Sequence, residues 1–168
     1  GFHNFDVVDK TRDAVAALHR ILRMDTGGAF IYGSPGTGKT HLLAAIAGEF
    51  LQRGNAPRFV YVGKLIQSIT DAWRSESPNP LDKLTRCPIL LLDDLTFQSK
   101  PPEFVERELN LLLNTIYEGE STRLLVTSNN PPQRLAEYLG ERFASRISEI
   151  CTQIPIVTED RRVKKGKK

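Results

Sequence analysis

Residues 27–40 read GGAFIYGSPGTGKT, a short apolar run that breaks into the spacing Gly33-x-x-x-x-Gly38-Lys39-Thr40 and then enters a helical pattern. Such a stretch leaves the chain few options. A buried strand must end where glycines let the backbone turn, and a helix must begin on the far side of that turn. Glycines allow the loop's N–H groups to converge on an anion, and the new helix adds its positive end. Lys39 would reach the β- and γ-phosphates of a nucleoside triphosphate, and Thr40 would hold Mg2+ through its hydroxyl. The bare spacing also turns up in chance glycine loops, but here it joins a strand to a helix. The candidate nucleotide contacts are Gly33, Ser34, Pro35, Gly36, Thr37, Gly38, Lys39, Thr40 and His41.

The rest of the chain alternates between strand and helix patterns. Residues 39–54 carry Leu42, Ile46 and Phe50 at helical spacing and stop at Gly54. Residues 58–63 predict a second strand, 64–73 a helix with Leu65, Ile69 and Trp73 four apart, and 74–80 a loop. Residues 88–95, PILLLDDL, predict a buried third strand that ends in two carboxylates. Pro101-Pro102 is expected to open a helix to about Glu118, with proline at its first position and Glu103 and Glu106 at its positive end. A fourth strand (122–130), two short helices (132–149) and a fifth strand (151–157) complete the pattern. Alternation of this kind predicts an α/β fold of three layers, a five-stranded parallel sheet covered on both faces. Ligands bind such sheets at the carboxyl ends of the strands. Gly33 to Thr40, Asp93 and Asp94, and Thr127 to Asn130 all fall there.

Charge narrows the partners. The chain has 168 residues and a net charge of +3, but its last eight residues, RRVKKGKK, hold six of the 23 basic ones. Taking those six away leaves 17 basic against 20 acidic residues, so the body is mildly acidic at −3. Tight intrinsic DNA binding by the body is not what that charge suggests. Residues 158–168 are expected to be a disordered basic tail, with loose phosphate contact as the alternative. No apolar run approaches the ~18 residues of a membrane span. No signal peptide is visible, so a cytoplasmic setting is expected. Gly1 is not an initiator methionine and the only methionine is Met24, so the chain reads as a fragment. Cys87 and Cys151 share no metal spacing and are expected to be two buried thiols.

Asp93 and Asp94 follow four apolar residues, and Asp93 would hold the Mg2+ shell while Asp94 orients the attacking water. A glutamate usually stands at the water-orienting position. Asp94 is one methylene shorter, which predicts slow hydrolysis, since a misplacement near 1 Å can cost about a hundredfold. Asn129 ends the fourth strand, where its amide could bridge phosphate and water; as a turn residue before Pro131-Pro132 it would serve equally well. Arg142 and Arg146 lie four apart on one helix. An arginine can stabilise a transferring phosphoryl group from a neighbouring molecule; the alternative is ion pairing with Glu141 or Glu149. The chain lacks the Asn-Lys-x-Asp motif of a signalling GTPase and the Ser-Gly-Gly signature of a transporter ATPase. It is too short for a two-lobed helicase, and residues 74–80 make a poor basic lid for a small-molecule kinase.

GSPGTGKTHLLAAIA, LLLDDL, LLVTSNN and LGERFASRISEIC, in this order, resemble the AAA+ ATPases, and more closely the DnaC/DnaI-type loaders of the bacterial replicative helicase. The resemblance runs from Phe5 to about Ile156. It implies an AAA+ core over residues 1–157 that binds and hydrolyses ATP to ADP with Mg2+. Lys39 and Thr40 would form Walker A, Asp93 and Asp94 Walker B, and Asn129 sensor 1. Arg146 would be an arginine finger serving a neighbour's ATP, with Arg142 in support. Head-to-tail self-association on single-stranded DNA and a replicative-helicase partner are likewise implied. The helical lid usual in AAA+ proteins is expected to be absent or vestigial, since 17 residues follow Cys151. The helicase-binding N-terminal domain of loaders is expected to precede Gly1. Loaders place an aromatic near the end of the second helix, where Trp73, beside Arg74, could stack on a base; as the next member of the Leu65–Ile69 stripe, Trp73 is expected instead to pack in the core. IstB-type transposition helpers share this core, and a nucleotide-holding DNA-binding module without catalysis is the third alternative.

Overall fold

The computed structural model describes His19, Leu22, Arg23, residues 27–119 and residues 121–156. The basic tail lies outside the described residues. Five strands form one sheet: β1 (Gly28–Tyr32), β2 (Arg58–Tyr61), β3 (Ile89–Asp93), β4 (Arg123–Ser128) and β5 (Cys151–Pro155). They are ordered β2-β3-β4-β1-β5, and every pairing is parallel. The helices are α1 (Lys39–Gln52), α2 (Val62–Ser75), α3 (Glu103–Gly119), α4 (Pro132–Leu139) and α5 (Glu141–Ile150).

The strands alternate with period two and so supply two apolar faces. Ala29, Ile31, Ile89, Leu91 and Leu125 face α1, where Leu42, Leu43, Ile46 and Phe50 meet them. Phe30, Leu90, Leu92, Leu124 and Val126 face the other way and join one core with Leu65 and Ile69 of α2, Val105 and Leu109 of α3, and Phe143 and Ile147 of α5. Both faces are covered, which explains why these strands read as continuous apolar runs rather than alternating ones. Register aligns Ile31 with Thr127 and Leu92 with Val126, so the carboxyl ends of β1, β3 and β4 lie side by side.

Several boundaries differ from the sequence reading. Helix α2 begins at Val62, because Val62 is buried and extends the Leu65–Ile69 stripe by one turn. It ends at Ser75, two residues into the expected loop; residues 76–79 are irregular as expected, and a 3₁₀ turn follows at Pro80–Lys83, capped by the Asn79 side chain accepting from the Leu81 N–H at 3.0 Å. Pro101 and Pro102 precede α3. The Pro102 carbonyl accepts from the Val105 and Glu106 N–H groups at 2.9 and 3.0 Å, so Pro102 caps the helix rather than opening it. Strand β3 stops at Asp93 because Asp94 turns left-handed, with φ 61°.

Two burial expectations fail. Trp73 is 56% exposed. The last turn of α2 carries it past the core, and its ring stacks on Phe104 at 5.2 Å, with the Arg107 guanidinium 5.3 Å from the ring centroid. Cys87 is half-buried rather than buried. Its thiol donates to the Lys83 carbonyl at the turn that leads into β3. Cys151 is buried as expected, and burial pushes its thiol pKa well up.

Candidate functional site: a phosphate loop facing two carboxylates

The loop between β1 and α1 is fixed by contacts that glycine alone permits. A Cβ at Gly33 would stand 2.2 Å from the Ile156 carbonyl oxygen, so the residue that follows β5 can pass this close only to a glycine. Gly38 sits at φ 89° as the cap of α1, a left-handed conformation that costs glycine little. Thr37 is buried, and its hydroxyl donates to the Ser34 carbonyl at 2.9 Å, tying the loop across its mouth. The Lys39 ammonium donates to the Gly33 and Ser34 carbonyls at 2.7 and 2.9 Å. Phosphate oxygens in the cleft would compete with these carbonyls for its donors. Burial lowers the Lys39 pKa from the usual lysine range, while Asp94 and then Asp93 pull it back up.

Opposite the loop, the ends of β3 and β4 form a bracket. Asp93 is 5% exposed, and its Oδ1 accepts from the Thr127 hydroxyl at 2.7 Å and the Thr40 hydroxyl at 3.1 Å. Asp94 is held in its left-handed turn by its own N–H donating to the Thr127 Oγ1 at 2.8 Å, and by its carbonyl accepting from the Thr96 N–H at 2.8 Å. A non-glycine residue there stores on the order of 1–3 kcal/mol of strain, which persists only where the surroundings over-determine it. The Asn129 amide donates to the Asp94 Oδ1 at 3.3 Å, and the Asn129 N–H to the Thr96 Oγ1 at 3.0 Å. The Ser128 hydroxyl closes the bracket by donating to the Leu95 carbonyl at 2.7 Å.

A cleft of about 450 Å3 lies between loop and bracket, lined by Pro35, Gly36, Gly38, Lys39, Thr40, His41, Asp94, Thr127 and Asn129. Residues that stand up to 94 positions apart in the sequence thus meet at one surface, with Asp93 directly behind it. The Thr40 hydroxyl and the Asp93 carboxylate are hard oxygen donors already in contact, the donor set that suits Mg2+.

The structure keeps two other expected groups away from this cleft. Arg146 is half-buried on α5, its guanidinium 5.1 Å from the Tyr117 ring centroid, with Nη1 buried and lacking a hydrogen-bond acceptor. Arg142 is exposed. Neither pairs with Glu141 or Glu149 among the described residues; Glu149 accepts from the Ser145 hydroxyl instead. Trp73 lines a separate cleft of about 520 Å3 with Ile69, Glu76 and Glu108, and Arg74 is exposed beside it. Sequence reasoning placed Thr127 and Ser128 at a strand end but gave them no task, and it did not find Thr96 or Tyr117.

This fold and this cleft define a P-loop nucleoside-triphosphatase domain of the AAA+ class. The bacterial DnaA ATPase-domain family matches residues 1–152, and the chain belongs to that family. It is an ATPase domain. The chromosomal replication initiator protein DnaA of Campylobacter jejuni is 32% identical over 155 residues, which cover 87% of this chain and 35% of that protein. A replication initiator DnaA bound to AMPPCP and single-stranded DNA superposes with a TM-score of 0.80 at 28% identity, over 94% of this chain and 50% of that one. DnaI superposes with a TM-score of 0.79 at 28% identity, over 96% of this chain and 89% of that one. The chain spans about a third of the length of the curated relatives it matches. Those relatives are initiators, so the loader resemblance is carried by structural neighbours rather than by the sequence-level names. Among the described residues, no helix is long and apolar enough to cross a membrane.

Proposed function

We propose that this domain is an ATP-dependent switch of DNA replication, which binds ATP with Mg2+, associates head to tail and holds single-stranded DNA. The observation that carries it is the placement of Arg146. Among the described residues that line the cleft there is a lysine but no arginine, while Arg146 waits on α5 with a donor unsatisfied. A phosphoryl-transfer site that draws an arginine from a neighbour couples hydrolysis to assembly. Within one chain Lys39 meets the β- and γ-phosphates, Thr40 and Asp93 hold the metal side, Asp94 orients water, and Asn129 bridges water and phosphate. Thr40 and Asp93 would hold Mg2+, which would supply positive charge against the phosphates. Arg146 reaches the next molecule's ATP, and Arg142 supports it. Such heterologous contacts close into rings or run on as open helices.

The finer reading is a cytoplasmic helicase loader, supported by the Gly140 to Ile147 run and the likeness to DnaI. The curated relatives favour an initiator instead. Both share the switch and differ in the partner. Co-purification of the full-length protein with ATP should retain the replicative helicase. Retention of transposase, as an IstB-type helper would give, or of neither while duplex origin DNA binds, sinks the loader reading. Sedimentation on single-stranded DNA should show larger assemblies with AMPPCP than with ADP; equal sizes would remove the switch.

Exposed Trp73 is the proposed DNA contact, with Arg74 beside it. Base–aromatic stacking is worth about 1–3 kcal/mol per base. Trp73→Ala is therefore expected to weaken binding to an oligo-dT strand roughly 5- to 150-fold, with ATP affinity unchanged and the melting temperature lowered by a few degrees through the lost stack on Phe104. Unchanged DNA affinity would assign Trp73 elsewhere.

A further inference from the structure

We propose that Thr127 is a positioning residue for hydrolysis, one hydroxyl that sets both carboxylates at once. Its side chain is almost completely withdrawn from solvent, at 1% exposure. Its Oγ1 accepts from the Asp94 N–H at 2.8 Å and donates to the Asp93 Oδ1 at 2.7 Å. A hydroxyl has a single proton. Because the Asp94 N–H cannot accept, that proton is committed to Asp93, and the hydroxyl has no second orientation that satisfies both neighbours.

Two consequences follow from this arrangement. Thr40 and Thr127 both donate to the same oxygen of Asp93, and among the described residues no hydrogen bond reaches Oδ2. Asp93 is therefore turned so that Oδ2 remains for the metal's shell. At Asp94, the bond from Thr127 helps hold the φ 61° turn that aims the carboxylate into the cleft beside Asn129. Without the hydroxyl, the Asp94 N–H loses its partner, Asp93 loses one of two donors, and the strained turn loses a support. The Thr127 backbone keeps its own link, its carbonyl accepting from the Leu95 N–H at 2.8 Å, so replacing the side chain need not undo the strand.

The proposal rests on the reading of Asp93 as the metal-side and Asp94 as the water-side carboxylate. Thr127→Val removes the hydroxyl and keeps the branch; Thr127→Ser keeps the hydroxyl. Hydrogen bonds to charged groups carry enough energy for a loss of roughly 10- to 100-fold. Thr127→Val is expected to lower ATP turnover by that factor and to raise the Mg2+ concentration for half-maximal MgADP binding about tenfold. ADP affinity in EDTA, read by titration calorimetry, should stay within about twofold, and Thr127→Ser should restore turnover to within about threefold. The proposal is overturned if Thr127→Val matches wild type in turnover and Mg2+ dependence. It is equally overturned if metal-free ADP affinity falls along with turnover, or if serine is as impaired as valine. Asp94→Asn measured alongside keeps the two readings apart. If that variant turns over normally, the assignment of Asp94 has failed, whatever Thr127 does.

Discussion

Asp94→Asn is expected to lower ATP turnover about a hundredfold or more, with nucleotide affinity unchanged within a few fold. A positioned acid–base group contributes typically 10²–10⁴-fold. The substitution isolates that contribution unusually well. Asn tolerates the left-handed region better than almost any residue but glycine, so the φ 61° turn survives. Its amide oxygen can still accept from Asn129, as the Asp94 Oδ1 does at 3.3 Å. What is lost is the negative charge and its capacity to accept a proton from water. Asp94→Ala would mix that loss with backbone strain and is the poorer probe. Phosphate release under saturating ATP and single-stranded DNA is the measurement. Undiminished turnover would leave a domain that holds ATP as a DNA-binding module and takes no catalytic help from this carboxylate.

How far the sequence leads depends on the range of the interaction that fixes each feature. The phosphate loop was readable because its requirements are local: glycines where the backbone turns left-handed or another strand passes close, then Lys39 and Thr40 on the first turn of a helix. The parallel sheet was readable because five strand patterns alternate with helical ones, and Asp93 was readable because it ends an apolar run. Trp73 was misplaced because helical periodicity says which side of α2 is apolar but not where the core beneath it stops. Val62 was assigned to the wrong element for a related reason. A valine after a strand suits either, and only its burial beside Leu65 decides. Pro102 has the chemistry of a helix start at two adjacent positions, and hydrogen bonding selected the outer one. The bracket was least legible of all. Thr127 acts on residues 33 and 34 positions away, across two strands, and nothing in VTSNN distinguishes a structural hydroxyl from one that holds two carboxylates.

The second large effect concerns Arg146, and mixing two inactive variants tests it better than either alone. Arg146→Ala should lower DNA-stimulated turnover by about 10³-fold or more, the range in which arginine fingers act, without weakening ATP binding, because its side chain does not line its own cleft. Asp94→Asn should be inactive for the opposite reason, an intact arginine beside a disabled cleft. Combined in equal amounts, they form some interfaces in which the Asp94→Asn molecule lends its Arg146 to the complete cleft of its partner. Random head-to-tail neighbours make roughly a quarter of the interfaces productive, so turnover should recover to about that share of wild type. The cost of bringing the arginine out is small. A half-buried cation–π contact like that with Tyr117 is worth about 0.5–2 kcal/mol, and the buried Nη1 gives up no hydrogen bond on leaving. The gain at a phosphate is larger, because guanidinium binds it through two parallel N–H groups. Arg146→Lys keeps the charge but not the fork and should remain defective. A mixture no more active than its parts, or an active Arg146→Ala, would mean that each molecule hydrolyses alone and that the ATP is not shared between neighbours.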